Sequence, residues 1–178
     1  MSLPMGTHLI FVMNQLTIRP ATLEDRSLIR SISERTWPST YGHIISKEQI
    51  DFMLDWMYSN ESLAGQFEKG HQFFIAQLSG EDIGFCSVSK NDEGKGDHKL
   101  NKLYILPNIQ KSGAGTALLN KAIEIAKTAC STSLFLQVNK HNNAYEFYLK
   151  KGFIKESEFK FDIGNGFYMD DYVMRLSF

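Results

Sequence analysis

Between Asn108 and Leu119 the chain reads NIQKSGAGTALL. Gln110, Gly113 and Gly115 stand ahead of apolar residues at helical spacing and behind the apolar stretch LYIL and Pro107. A strand therefore ends here, glycines turn the chain, and a helix begins. A helix start exposes unpaired N–H groups and the positive end of the macrodipole. Glycines let an anion approach those groups, so the pattern fits a phosphate or pyrophosphate cradle. It fits equally well a tight strand-to-helix turn with no ligand. Two familiar nucleotide cradles fit poorly. No lysine follows the second glycine as a P-loop requires, since Thr116 stands there, and Leu118 occupies the third glycine position of the dinucleotide fingerprint.

The elements that must position this turn are legible from periodicity. Gln15 to Thr22 reads as a short strand ending at Pro20, with Thr22 as N-cap and Asp25 closing a capping box. Leu28, Ile29 and Ile32 give a helical stripe through Arg35, and WPSTYG is expected to break it. Ser46 opens a second helix with Ile50, Met53, Leu54 and Met57 on one face, and a short third helix covers Glu61 to Glu68. HQFFIAQL and DIGFCSVS predict a hairpin around SGED, followed by a polar loop, Asn91 to Asp97. In HKLNKLYIL, Leu100 and Leu103 would not share a face of a regular strand, which predicts a bulge. After the glycine turn, Ala114, Leu118, Ala122, Ile125 and Ala126 make the apolar face of a helix running to about Lys127. LFLQV then predicts a strand buried on both faces. NNAYEFYLKK predicts a short helix ended by Gly152, and two last strands flank IGNG. Strands mixed with helices, without repeat or linker, predict one α/β domain over residues 1–178.

Composition narrows the function classes. With 19 Lys+Arg against 20 Asp+Glu the net charge is -1, so nothing draws the chain as a whole to nucleic acid or an anionic membrane. Two cysteines, Cys86 and Cys130, are too few for a disulfide framework and read as buried reduced thiols, which favours a cytoplasmic setting. No apolar run is long enough to span a membrane, and residues 1–14 have no basic n-region of a signal peptide. They read as an extension, a cloning scar or a first strand. No His/Cys cluster has metal-ligand spacing.

Two blocks carry a family resemblance. LYILPNIQKSGAGTALL resembles the acetyl-coenzyme A signature of the GNAT superfamily of N-acetyltransferases, a strand, a Q/R-x-x-G-x-G/A turn and a helix. About thirty residues on, VNKHNNAYEFYLKKGF is similar to the family's second block, and GNGFYMDDYVMRL resembles the last hairpin of bacterial spermidine/spermine-type members. The resemblance implies a central, mostly antiparallel twisted sheet, splayed at the coenzyme site and flanked by helices. It also implies acetyl-CoA as cosubstrate, a small amine such as a polyamine as acceptor, and a homodimer.

Residue by residue, the resemblance assigns the pyrophosphate to backbone N–H groups of Gln110, Lys111, Ser112, Gly113, Ala114, Gly115 and Thr116. It assigns the pantetheine arm to the backbone at Leu103, Tyr104 and Ile105, whose N–H groups would also polarise the thioester carbonyl. Tyr148 falls where the family has a tyrosine beside the coenzyme sulfur, a general acid for the leaving thiolate. Asn142 stands in for the family asparagine as a coenzyme contact, its alternative role being a helix N-cap. The chain departs from the family at the general base. Lys99 and Asn101 occupy the places where relatives often carry a glutamate, which leaves a water chain, His98 or an acid from elsewhere. Trp37, Tyr41, Asp170 and Asp171 are the expected acceptor contacts, the aspartates for a cationic amine; core packing and a solvated turn are the alternatives. A protein or peptide N-acetyltransferase and a non-catalytic acyl-CoA-binding module are the rival functions.

Overall fold

The computed structural model describes residues 15–93 and 96–178. The expectation for residues 1–14 lies outside them. Twelve elements follow one another: β1 (Leu16–Pro20), α1 (Arg26–Tyr41), α2 (Lys47–Tyr58), α3 (Asn60–Glu68), β2 (Gln72–Leu78), β3 (Glu81–Lys90), β4 (Asp97–Ile105), α4 (Ala114–Thr128), β5 (Ser133–Asn139), α5 (Ala144–Lys150), β6 (Ile154–Gly164) and β7 (Phe167–Ser177). The strands form one sheet in the order β1-β2-β3-β4-β5-β7-β6. Every neighbouring pair is antiparallel except β4 and β5, which α4 connects as a parallel crossover. The expected mixed α/β fold is the one observed.

Two apolar clusters cover the sheet. One gathers Ala114, Leu118, Leu119, Ala122 and Ala126 of α4 against β2–β5, with Tyr148 and Phe153. The other gathers Ile29, Ile32 and Trp37 of α1, with Ile50, Met53, Leu54, Tyr58 and Leu63, against Phe73, Ile75 and Phe85. The Thr22–Asp25 capping box is present, with the Thr22 N–H donating to Asp25 Oδ2 at 2.8 Å.

The feature that matters most for function is a split in the sheet. β4 and β5 pair only from Asp97 to Leu100 on β4 and from Ser133 to Leu136 on β5, and both strands then run on without pairing to each other. The expected bulge falls at the point of divergence. Ser87 faces Lys102 and Val88 faces Leu100, so Asn101 is the extra residue. The bulge changes the phase of the strand, and Leu100 and Leu103 reach the same cluster. A buried ion pair locks the paired end. Arg175 on β7 donates to Asp97 Oδ2 at 2.8 Å and to Glu156 at 2.9 Å, while the Ser133 hydroxyl donates to Asp97 Oδ1 at 2.8 Å.

Three expectations need correction. WPSTYG does not break α1, which runs through Pro38 to Tyr41. Proline in a helix interior costs about 3 kcal/mol, but burial of Thr36 and Trp37 on the same turn outweighs it. β5 is not buried on both faces, because beyond Leu136 it no longer pairs with β4, and Gln137 is exposed. Cys86 is buried as expected, whereas Cys130 sits exposed just past α4.

Candidate active site

Beyond Ile105 one turn of 3-10 helix, Pro107–Ile109, leads into the glycine turn. Lys111 and Gly113 hold φ of 73° and 85°, the left-handed region, so backbone conformation alone selects glycine at 113. Gly115 differs. A Cβ there would meet nothing closer than Phe147 Cζ at 3.8 Å, an ordinary contact. The fold does not require glycine at 115, and the bare position faces a cleft. The first intrahelical bond of α4 runs from Ala117 N–H to Gly113 C=O, so the N–H groups of Gly115 and Thr116 precede the ladder.

That cleft holds about 520 Å³. Of the residues expected to contact coenzyme, Leu103, Tyr104, Ile105, Gln110, Lys111, Ser112, Gly113, Gly115, Thr116 and Asn142 line it, together with Tyr148. Ala114 does not. Its side chain is buried in the core, and its N–H donates to Ser112 Oγ at 3.3 Å. Sequence reasoning missed Thr36, Ser39, Thr40 and His43, from α1 and the loop after it, and Phe147 from α5. No local signal marks them, since the long-range approach of α1 brings them there. Asn142 lines the cleft, and its side-chain oxygen accepts from the Ala144 N–H at 2.9 Å in a local turn just ahead of α5. The N-cap of α5 is Asn143, so the alternative role considered for Asn142 falls to its neighbour.

A second cleft, of about 540 Å³, opens beside α1, α2 and the β6–β7 hairpin. Its floor is an aromatic cluster with Trp37–Tyr41, Trp37–Tyr58 and Trp37–Tyr104 ring centroids 4.6, 5.8 and 6.0 Å apart. Met53, Trp56 and Met57 form one wall, and Phe159, Phe161, Tyr168 and Met169 form the other. Trp37 and Tyr41, expected as acceptor contacts, line it. Asp171 lines it too, but Asp170 does not. Adjacent strand residues point to opposite faces, and Asp170 instead forms an ion pair with Lys140 at 2.8 Å. Burial, reinforced by neighbouring Asp170, pushes the Asp171 carboxyl up to about 6. The wall from β4 adds Lys99, Asn101 and Lys102, and His71 stands nearby. Burial brings Lys102 down to about 8, and the Lys99 charge adds to the effect.

A narrow void of about 50 Å³ joins the two clefts at the split between β4 and β5. Tyr41, Asn101, Lys102, Leu103, Tyr104, Gln137, Asn142 and Tyr148 surround it. The hydroxyls of Tyr41 and Tyr104 lie 3.0 Å apart. Tyr148 is buried on α5, and burial holds its phenol well above the ordinary value, so it keeps its proton at neutral pH. His98 is not at this junction. It is buried against Ser131, Nδ1 to Oγ 2.6 Å, and lines neither cleft.

Among the described residues no group of three His, Cys, Asp or Glu side chains could hold a metal, and no helix is long and apolar enough to cross a membrane.

Comparison with known proteins gives these shapes a context. A sequence model of the acetyltransferase (GNAT) family matches residues 28–153. The uncharacterized N-acetyltransferase YuaI of Bacillus subtilis is 30% identical over 141 residues, 75% of this chain and 77% of its own. The spermidine N(1)-acetyltransferase of Thermoplasma acidophilum is 28% identical over 144 residues, 78% of this chain and 88% of its own. Among solved structures, the PaiA N-acetyltransferase of Thermoplasma acidophilum in complex with coenzyme A aligns with a TM-score of 0.79 at 25% identity, covering 92% of this chain and 99% of that one.

Proposed function

This chain belongs to the GNAT family of acetyl-CoA-dependent N-acetyltransferases, and from that premise we propose that it acetylates the primary amine of a small molecule seated in the aromatic cleft. One observation carries the reading: two clefts of similar size adjoin at the gap in the sheet, and a protonated tyrosine stands at the junction.

The residues of the glycine turn suit the coenzyme's pyrophosphate. They offer helix-start N–H groups and a position, Gly115, left bare without need from the fold. Beyond Leu100 one edge of β4 has no strand partner, so the backbone of Leu103–Ile105 is free to pair with an extended amide chain such as pantetheine. Acetyl-CoA supplies the acetyl group. Backbone N–H near Leu103 would polarise the oxygen of the thioester carbonyl. Among the described residues Asp171 is the only carboxylate lining the amine's cleft, and it fills the role that Lys99 and Asn101 leave open. We assign it the proton of the incoming ammonium. Tyr148 donates its phenolic proton to the departing sulfur, which its raised proton affinity allows at neutral pH.

Walls on two sides, from α2 and the β6–β7 hairpin, favour a small acceptor over a peptide. The spermidine acetyltransferase among its relatives also favours a small acceptor. The test is thiol release from acetyl-CoA with small amines and short lysine peptides. Selective turnover of a small amine is expected, with kcat/KM falling below about pH 6 as Asp171 takes up its proton. Asp171→Asn should abolish that limb. Coenzyme binding without turnover on any amine would point instead to a binding module.

A further inference from the structure

The acceptor cleft has an uneven charge. Four residues that line it carry ordinary acid or base groups: Asp171, Lys99, Lys102 and His71. Asp171 can match one ammonium group. Neither lysine forms an ion pair with a carboxylate among the described residues. Lys102 Nζ donates to the Gln66 amide oxygen at 2.7 Å and lies 5.5 Å from the Tyr58 ring centroid. Lys99 Nζ donates to the Gln137 amide oxygen at 2.8 Å. His71 Nδ1 is buried and has no hydrogen-bond partner among the described residues.

The bulge at Asn101 creates this arrangement. In a regular strand Lys99 and Lys102, three residues apart, would face opposite sides of the sheet. The extra residue brings both into the cleft. An ammonium drawn partly out of water without an ion-paired carboxylate is costly, and both half-buried lysines are held in that state by neutral amides and aromatic faces. A second or third ammonium on the acceptor, as in a polyamine, would meet these cations instead of a carboxylate. Asp170, which could have supplied one, is engaged with Lys140 outside the cleft.

We propose that Lys99, Lys102 and His71 form an anion subsite of the acceptor cleft, so that the acceptor is a small primary amine carrying a carboxylate or a phosphate on the same molecule. The inference narrows the acetyl-transfer reading and rests on it for the word acceptor. The amine end sits toward Asp171 and the anionic end toward the lysines, so a zwitterion matches both charges of the cleft. The aromatic floor suits an acceptor with an apolar body.

Binding to the full-length enzyme saturated with free coenzyme A, measured by calorimetry, tests the subsite without requiring turnover. Two pairs of probes separate the anion types: phenylalanine against phenethylamine, and phosphoethanolamine against ethanolamine. At least one anionic member should bind 10-fold or more tightly than its partner, and spermidine should bind less tightly than that member. Lys102→Gln and, independently, Lys99→Gln should each cut the preference severalfold, and the second variant guards against misfolding of the first. Equal binding within both pairs, tighter binding of spermidine, or a preference that survives both substitutions would overturn the proposal. Thiol release on the same panel reads acetyl transfer separately. An intact anion preference with no turnover would count against acetyl transfer and leave the subsite standing.

Discussion

The clefts proposed for coenzyme and for acceptor meet at one void, yet they are made of different material. The first presents backbone: helix-start N–H groups, a bare Gly115 and an unpaired strand edge from Leu103 to Ile105. The second presents side chains from α1, α2, β4, β5 and the β6–β7 hairpin. A ligand shared by every turnover can be held by main chain, because a pyrophosphate and an amide chain need only donors and acceptors at fixed spacing. A variable acceptor must be told from its competitors, and only side chains differ enough to do that. The acceptor cleft therefore carries the unusual groups, the raised Asp171 and the depressed Lys102.

Both clefts depend on where the sheet divides, so the change with the largest expected effect is made at the closed end. Asp97 is held below its usual range: burial pushes it up, but the hydroxyl of Ser133 and the guanidinium of Arg175 outweigh that. Asp97→Asn leaves Arg175 with Glu156 alone, and a broken buried pair costs about 3 kcal/mol at the low end of the known range. For a chain of this size that is a fall in Tm of about 6–12 °C. A lowered carboxyl stabilises above its unfolded pKa and loses that contribution as pH falls through the folded value. The gap between wild type and variant, followed by thermal melts, should therefore narrow on acidification below about pH 4. A gap unchanged at low pH would remove the ion pair from the account.

The next test separates the junction from both clefts. Tyr148→Phe removes one oxygen from a buried ring and should leave coenzyme affinity within a factor of two. General acid catalysis contributes about 100-fold or more, so kcat should fall by that amount. A rise in KM at constant kcat would make Tyr148 a packing residue of the acceptor wall.

Breaking only the backbone site takes Gly115→Leu. No protein atom crowds the new Cβ, and leucine favours helix over glycine by about 0.5–1 kcal/mol. The apo protein should melt no lower than wild type, while affinity for coenzyme A, read by calorimetry, should fall about 30-fold, or ~2 kcal/mol. Unchanged affinity would mean that the ligand does not pass over Gly115.

The same contrast explains what the sequence could reveal. The glycine turn was legible because its requirement is local: Gly113 needs a positive φ, and a helix start needs no partner from far along the chain. The bulge was legible from Leu100 and Leu103, a spacing that a regular strand could not satisfy. Its consequence was not, since turning Lys102 into a cleft requires β5 to have diverged at Leu136. The choice between Asp170 and Asp171 was hidden for a similar reason. A one-residue change of register exchanges the faces of a strand, and the pairing of Asp171 with Asn139 is fixed by β5, thirty residues away in the chain. Pro38 misled because its helix-breaking tendency is local, while the burial of Trp37 that overrides it is tertiary.

The smallest expected effect sharpens the comparison most, because it sets function against stability at one atom. In the unfolded chain Asp171 ionises near pH 4; in the folded protein burial and Asp170 delay this to about 6. Between those values the folded state holds more protons than the unfolded one. Stability therefore falls as pH rises through the interval and stays lower above it. Asp171→Asn keeps the shape and removes the buried charge, so at pH 7.5 the variant should be more stable than wild type by on the order of 1–2 kcal/mol. Below pH 4 the two should converge. Urea melts across pH 4 to 8 measure the difference directly. A variant less stable at neutral pH would mean that the Asp171 carboxylate is held by favourable bonds, as a structural residue is.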